Sequence, residues 1–129
     1  MNMTEIGIVK SRFKKPADPF EMQKEESRIE IHPEYANGLL RIEECDLIQV
    51  IFGFHLSKGY ELQHNNYFGE FKGVFAACSP RRPSPLGLTT VKLLSVEDNI
   101  LRVKGLDAVD GTPVFDIKPF VPYREEMGK

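Results

Sequence analysis

Apolar residues along this chain fall in short runs separated by polar or proline-rich stretches, and the runs recur at roughly ten-residue spacing. Ser27 to Ile31 alternates, with Ile29 and Ile31 on one face and Arg28 and Glu30 on the other, which predicts a half-buried strand. Glu5 to Lys10 is short and β-branched and predicts another. Leu47 to Phe54 is nearly all apolar, the pattern of a strand buried on both faces. Gly69 to Ala76 reads as a strand whose glycines permit bends. Gly87 to Val96 and Ile100 to Leu106 flank the polar turn Glu97-Asp98-Asn99, the clearest hairpin in the chain, and Thr112 to Lys118 is a further strand. Many short strands at this spacing predict a sandwich or a barrel.

Helical signals are few. Asp18-Pro19-Phe20-Glu21 has an aspartate to cap, a proline for the first helical position and a glutamate at the third, so a short helix is expected from there to about Glu26. Pro33 to Glu44 predicts another, punctuated by Asn37-Gly38. There is no internal repeat, and Glu125 to Lys129 reads as a frayed tail. Residues 1–129 are therefore expected to form a single domain.

Composition narrows the class. At 129 residues and 41% hydrophobic, the chain can bury a core without disulfides or metal. Its two cysteines, Cys45 and Cys78, read as free thiols in a reducing compartment. No Cys-x-x-Cys or His-x-x-x-His spacing occurs, so no metal site is expected. The first ten residues lack a signal-peptide pattern and no apolar run approaches a membrane span, so a cytoplasmic protein is expected. The net charge of −2 argues against strong non-specific nucleic-acid binding but leaves room for a local basic patch.

Candidate chemistry lies in four places. Ser79-Pro80-Arg81-Arg82-Pro83-Ser84-Pro85 holds two guanidinium groups on a backbone stiffened by three prolines, which suits phosphate, carboxylate or base recognition and equally describes a stiff surface loop. Gly105 to Pro113 carries Asp107 and Asp110 in a tight connection; they can grip hydroxyl or amino groups, or simply make the turn. Asp116 and Lys118 are two apart in a strand and share a face, either as a bracing ion pair or as a site lining. His55 ends an apolar strand, where it can hydrogen-bond or stack on an adenine. No Gly-x-Gly-x-x-Gly and no P-loop is present.

Taken in order, Ile6-Gly7-Ile8-Val9-Lys10-Ser11, Phe54-His55, Gly73-Val74-Phe75-Ala76 leading into Ser79 to Gly87, and Leu106-Asp107 through Asp110-Gly111-Thr112-Pro113 to Asp116-Ile117-Lys118-Pro119 resemble the TrmO/YaeB family of tRNA N6-threonylcarbamoyladenosine methyltransferases. The similarity runs from about Glu5 to Tyr123. It implies a mainly β fold, a small closed or partly closed β-barrel with a few short helices. It also implies a homodimer, S-adenosyl-L-methionine as cofactor and tRNA as partner. Gln23, His55, Leu56, Cys78, Leu88, Lys104, Gly105, Leu106 and Asp107 would bind the cofactor. Where the family often has Pro-Arg-Gln near the N-terminal loop, this chain departs from it and reads Pro19-Phe20-Glu21-Met22-Gln23, of which only Gln23 fits. Its Ala-Thr-Arg-Ser reads Ala76-Ala77-Cys78-Ser79, and some members carry a C-terminal extension beyond the point where this sequence stops.

The N6 nitrogen of a carbamoylated adenosine is a weak nucleophile, so an acceptor for its proton is expected among Asp107, Asp110 and the Tyr123 hydroxyl. Arg81, Arg82 or Lys118 would hold a threonyl carboxylate or a phosphate, and one of them would supply the charge-assisted hydrogen bond that Cys78 cannot make. Two other functions fit the same residues: a methyltransferase for a small metabolite, and a non-catalytic barrel that binds S-adenosyl-L-methionine or RNA.

Overall fold

The structure, a computed structural model, describes residues 1–122. Six strands close into a barrel: β1 (Gly7–Lys10), β2 (Glu26–Ile31), β3 (Leu47–Gly53), β6 (Leu86–Glu97), β7 (Ile100–Lys104) and β8 (Pro113–Pro119). Their order around the wall is β1-β2-β7-β6-β3-β8, and every neighbouring pair is antiparallel. Two further strands, β4 (Gln63–Asn65) and β5 (Phe71–Gly73), form a separate two-stranded sheet.

The barrel follows from alternation. In β2, Ser27, Ile29 and Ile31 point inward, and in β7, Leu101 and Val103 do the same. With Val9, Ile48, Val50, Phe52, Val91, Leu93 and Val114 they make one continuous core. Curvature comes from two register shifts, one between Ile51 and Phe52 against β8 and one between Leu93 and Ser95 against β7. Such bulges bend a strand and raise its twist, which closure requires. The hairpin predicted around Asp98 and Asn99 is present, with Asp98 in the left-handed region at φ 53°. Asn99 ties this turn to β2, its Nδ2 donating to the Ile31 carbonyl at 2.6 Å.

Four expectations are corrected. β3 is not buried on both faces: Ile48, Val50 and Phe52 are inside, while Leu47 is 39% exposed and Gln49 and Ile51 are half-buried on the outer wall. A single-walled barrel has only one dry face. The strand expected over Gly69 to Ala76 shrinks to Phe71–Gly73 and pairs outside the barrel, because Gly69 turns at φ 79° and Val74–Ala76 coils into a single 3-10 turn that buries Val74. The first helix, α1 (Pro19–Met22), stops early because Glu26 is already in β2. Pro33 to Glu44 forms two 3-10 segments rather than one helix, broken where Arg41 takes φ 68°. Among the described residues no helix is long and apolar enough to cross a membrane.

Candidate functional site

Antiparallel order sends three connections to one end of the barrel: residues 11–25 between β1 and β2, the long stretch from Phe54 to Pro85 between β3 and β6, and residues 105–112 between β7 and β8. They enclose a cavity of about 850 Å³, within the range of small-molecule sites. Its apolar wall includes Met22, Phe52, Phe54, Ala108 and Val109, with the Phe52 and Phe54 rings edge to face at 5.4 Å. Its polar groups include Asp18, His55, Lys58, Arg81 and Asp107.

Asp107 is the best-supported polar group in this cavity. Its Oδ1 accepts from the Thr89 hydroxyl at 2.7 Å and its Oδ2 from Gln23 Nε2 at 3.3 Å. Thr89 belongs to β6 and Gln23 caps α1, so the carboxylate joins the barrel wall to the segment that covers the cavity. A carboxylate has about four lone-pair directions; the two in use leave acceptor capacity for a ligand. Asp18 caps α1 through Oδ1, which accepts from the Phe20 amide at 2.9 Å. Partial desolvation, and then the neighbouring Asp18 charge, holds the Tyr67 hydroxyl above the ordinary tyrosine range, so it remains a neutral donor. Arg81 Nε donates to the Lys58 carbonyl at 3.3 Å, fastening the proline-rich loop to the segment after β3. The Ser57 hydroxyl, also in the cavity wall, is buried without a partner among the described residues.

A family model described as the tRNA-methyltransferase O N-terminal domain matches residues 7–126. The chain belongs to this family. It is 43% identical over 122 residues to a protein of Pyrococcus abyssi named "Probable S-adenosyl-L-methionine-binding protein", covering 91% of this chain and 66% of that one. It is 38% identical over 94 residues to the mouse protein named tRNA (adenine(37)-N6)-methyltransferase, covering 70% of this chain and 21% of that one. A solved structure titled "Crystal structure of TrmO" superposes with a TM-score of 0.76 at 30% identity, over 95% of this chain and 56% of that one. The chain thus spans two thirds or less of the length of these relatives.

In this tRNA-methyltransferase O N-terminal domain, the residues singled out from the sequence separate into two groups. His55, Leu56, Cys78, Arg81 and Asp107 line the cavity, and Gln23 reaches it through Asp107. Leu88 does not: it points outward from β6 and is 61% exposed. Lys104 is exposed at the end of β7, Gly105 makes the turn at φ 106°, and Leu106 is buried in the core. Arg82 is spent on its own loop, donating to the Ala77 and Ser79 carbonyls at 2.8 and 3.1 Å. Lys118 pairs with Asp116 at 3.3 Å on the strand they share. Tyr123 lies outside the described residues.

Asp110 also stands apart from the cavity lining. It accepts from the Ser11 amide and from Lys14 Nζ, both at 2.9 Å. The Lys14 hydrogen bond, followed by the Ser11 amide, holds its carboxyl below the ordinary aspartate range. A depressed folded-state value means stability that is fully present above the unfolded value near 3.9 and lost as pH falls through the folded one. Asp110→Asn is therefore expected to lower the thermal midpoint by a few degrees at pH 7. The gap from the parent should close below about pH 4. Thermal scans across pH check this; an equal gap at every pH would remove the ion pair as its cause.

Sequence reasoning did not find Met22, Phe52, Ala108 and Val109, because an apolar cavity wall and an apolar core have the same pattern. It left room for a basic patch but did not locate the row of cations on the outer wall. Lys10, Arg28 and Arg102 stand in one register row across β1, β2 and β7, all exposed, beside Arg12 and Lys14. Lys10 pairs with Glu30 at 3.7 Å and Arg102 with Glu26 at 3.1 Å. These residues come from three separate parts of the sequence, so no local run announces them.

Proposed function

We propose that this chain is the catalytic barrel of an S-adenosyl-L-methionine-dependent tRNA methyltransferase that methylates N6 of threonylcarbamoyladenosine beside the anticodon. Residues 1–129 would act as a single domain, in the cytoplasm. The observation that carries the reading is the cavity built around Asp107 in a member of this family. Its contents suit the cofactor. Apolar and aromatic walls suit an adenine and a methylene chain, Asp18 and Asp107 can accept from hydroxyl or ammonium donors, and Lys58 can meet the cofactor's carboxylate.

When bound, S-adenosyl-L-methionine supplies an electrophilic methyl group on a positively charged sulfur. The chain's own residues then have three tasks. The walls position two ligands and exclude water, which contributes through alignment rather than through a covalent step. Asp107, which lines the cavity and has acceptor capacity left, is the proposed acceptor of the N6 proton, whereas the Asp110 carboxylate is committed to Ser11 and Lys14. Arg81 is the better candidate for the threonyl carboxylate: it lines the cavity and spends only its Nε, on the Lys58 carbonyl, whereas Arg82 and Lys118 lie outside the lining. Arg28, flanked in register by Lys10 and Arg102 and without a carboxylate partner among the described residues, supports contact with a phosphate, since its two neighbours are already paired with Glu30 and Glu26. Self-association is part of the proposal: Leu88 and Leu47 leave apolar surface on the outer wall of β6 and β3.

The test is to incubate the protein with S-adenosyl-L-methionine and tRNA that carries unmethylated threonylcarbamoyladenosine, then to separate the nucleosides by mass spectrometry. A gain of one methyl on that nucleoside is expected. Cofactor binding without any methylated nucleoside would assign the chain to a binding barrel instead.

A further inference from the structure

The cavity does not end at its polar groups. Tyr67 lines it, and two more aromatic rings continue outward from Tyr67. Phe20 meets Tyr67 with ring centroids 6.0 Å apart at 67°, Tyr67 meets Phe68 at 5.3 Å and 87°, and Phe20 lies 6.4 Å from Phe68. All three are more than half exposed: Phe20 53%, Tyr67 63% and Phe68 69%. They meet by edges and tilts rather than by parallel stacking, so their flat faces are not used up on one another.

The cluster joins two segments that are distant in sequence. Phe20 sits on α1, held by the Asp18 cap. Tyr67 and Phe68 sit in the turn between β4 and β5. Asn66 fixes that turn, its Oδ1 accepting from the Phe68 and Glu70 amides, both at 2.9 Å. Clustered aromatics that stay wet on a fixed frame, contiguous with a ligand cavity, mark a surface meant to be covered.

We infer that Phe20, Tyr67 and Phe68 form a stacking platform that takes an unpaired nucleobase next to the target adenosine. The inference rests on the RNA reading above and names the part of the RNA that the rim holds. An adenosine that enters the cavity leaves its stack, and its single-stranded neighbours then have open faces. Aromatic side chains are the common receivers of such bases, and the contact tolerates any base identity. Arg28 of the β1-β2-β7 row, which has no carboxylate partner among the described residues, would hold a backbone phosphate, which the aromatic rim cannot do.

Phe68 lies beyond the cavity lining, which makes it the position to change. Phe68→Leu keeps an apolar side chain and removes the ring; Phe68→Trp keeps a ring. With tRNA carrying threonylcarbamoyladenosine, Phe68→Leu should raise KM for tRNA about ten-fold. The dissociation constant for S-adenosyl-L-methionine should stay at the parental value, and Phe68→Trp should restore KM. Phe20→Leu, on the other segment, should repeat the KM effect and serves if the Phe68 variant does not fold. An unchanged KM in both leucine variants, while the parent methylates tRNA, overturns the platform and leaves the function standing. A leucine variant that converts a dimer to a monomer with KM for tRNA unchanged assigns the patch to contact between copies and also overturns it. A parent protein that methylates no tRNA overturns both readings together.

Discussion

Asp107→Ala should weaken S-adenosyl-L-methionine binding by at least about ten-fold and reduce methyl transfer to background, while the barrel stays folded. The carboxylate accepts from Thr89 and Gln23 and still has acceptor capacity toward the cavity. A hydrogen bond to a charged group contributes about 1.5–3 kcal/mol, which sets the size of the binding loss. Truncation removes that acceptor, strands the Thr89 hydroxyl and releases Gln23 from the barrel wall. Asp107→Asn keeps one oxygen for Thr89 but neither the charge nor the capacity to take a proton. It should fall between the two in binding and match alanine in turnover. Calorimetry and a methyl-transfer assay on the same preparations separate the two roles. Full binding and full turnover in Asp107→Ala would leave this residue as a brace between α1 and β6.

Gly87→Ala is expected to destabilise the fold by about 3 kcal/mol, at the upper end for overpacked cores. A Cβ on Gly87 would collide with Phe52 Cζ and stand 2.5 Å from its Cε2. Phe52 is 1% exposed and packs edge to face against Phe54, so its ring can give way only into the cavity it lines. The strain should therefore appear twice, as a lower urea midpoint and as weaker cofactor binding. Phe52→Leu in the Gly87→Ala background should recover part of the stability, since it removes the ring atoms that clash. A urea midpoint equal to the parent's would mean that Phe52 has an alternative position.

The strands of the barrel were legible in the sequence wherever their outer face is polar, which the apolar outer positions Leu47 and Ile51 of β3 are not. Ser27 to Ile31 and the hairpin about Asp98 alternate cleanly, and both lie close to where they were expected. The start of α1 was readable from the Asp18 cap and Pro19, but its end was not. Nothing local says that Glu26 must leave the helix to pair with Lys104. The hairpin of β4 and β5 was half-hidden because Gln63 to Asn65 carries no apolar face to mark a strand.

The candidate site divides along the same line. Asp107, His55 and Arg81 stood out as polar residues in unusual local settings, and all three line the cavity. Thr89, which helps aim the Asp107 carboxylate, sits in ordinary local sequence and was not singled out, and Gln23, which also aims it, was named by resemblance alone. Leu88 was placed by resemblance alone, and the two-residue period of β6 turns it away from the cavity while Thr89 faces inward.

The seam between β1 and β8 has a consequence for how the molecule assembles. It has only two residue pairs in register, Gly7 with Val114 and Ile8 with Pro113, whereas β3 and β6 share seven. Those two pairs join positions more than 100 residues apart, while β6 and β7 meet across a two-residue turn. Chain entropy makes the local hairpin the inexpensive early step and the seam the late one. Until the seam shuts, Val9 and Val114 have no closed interior to enter, and the connection of residues 105–112 is not yet held against residues 11–14 by Asp110. The ligand cavity is thus completed in the last act of folding, and a nascent chain would acquire it only after β8 has been synthesised.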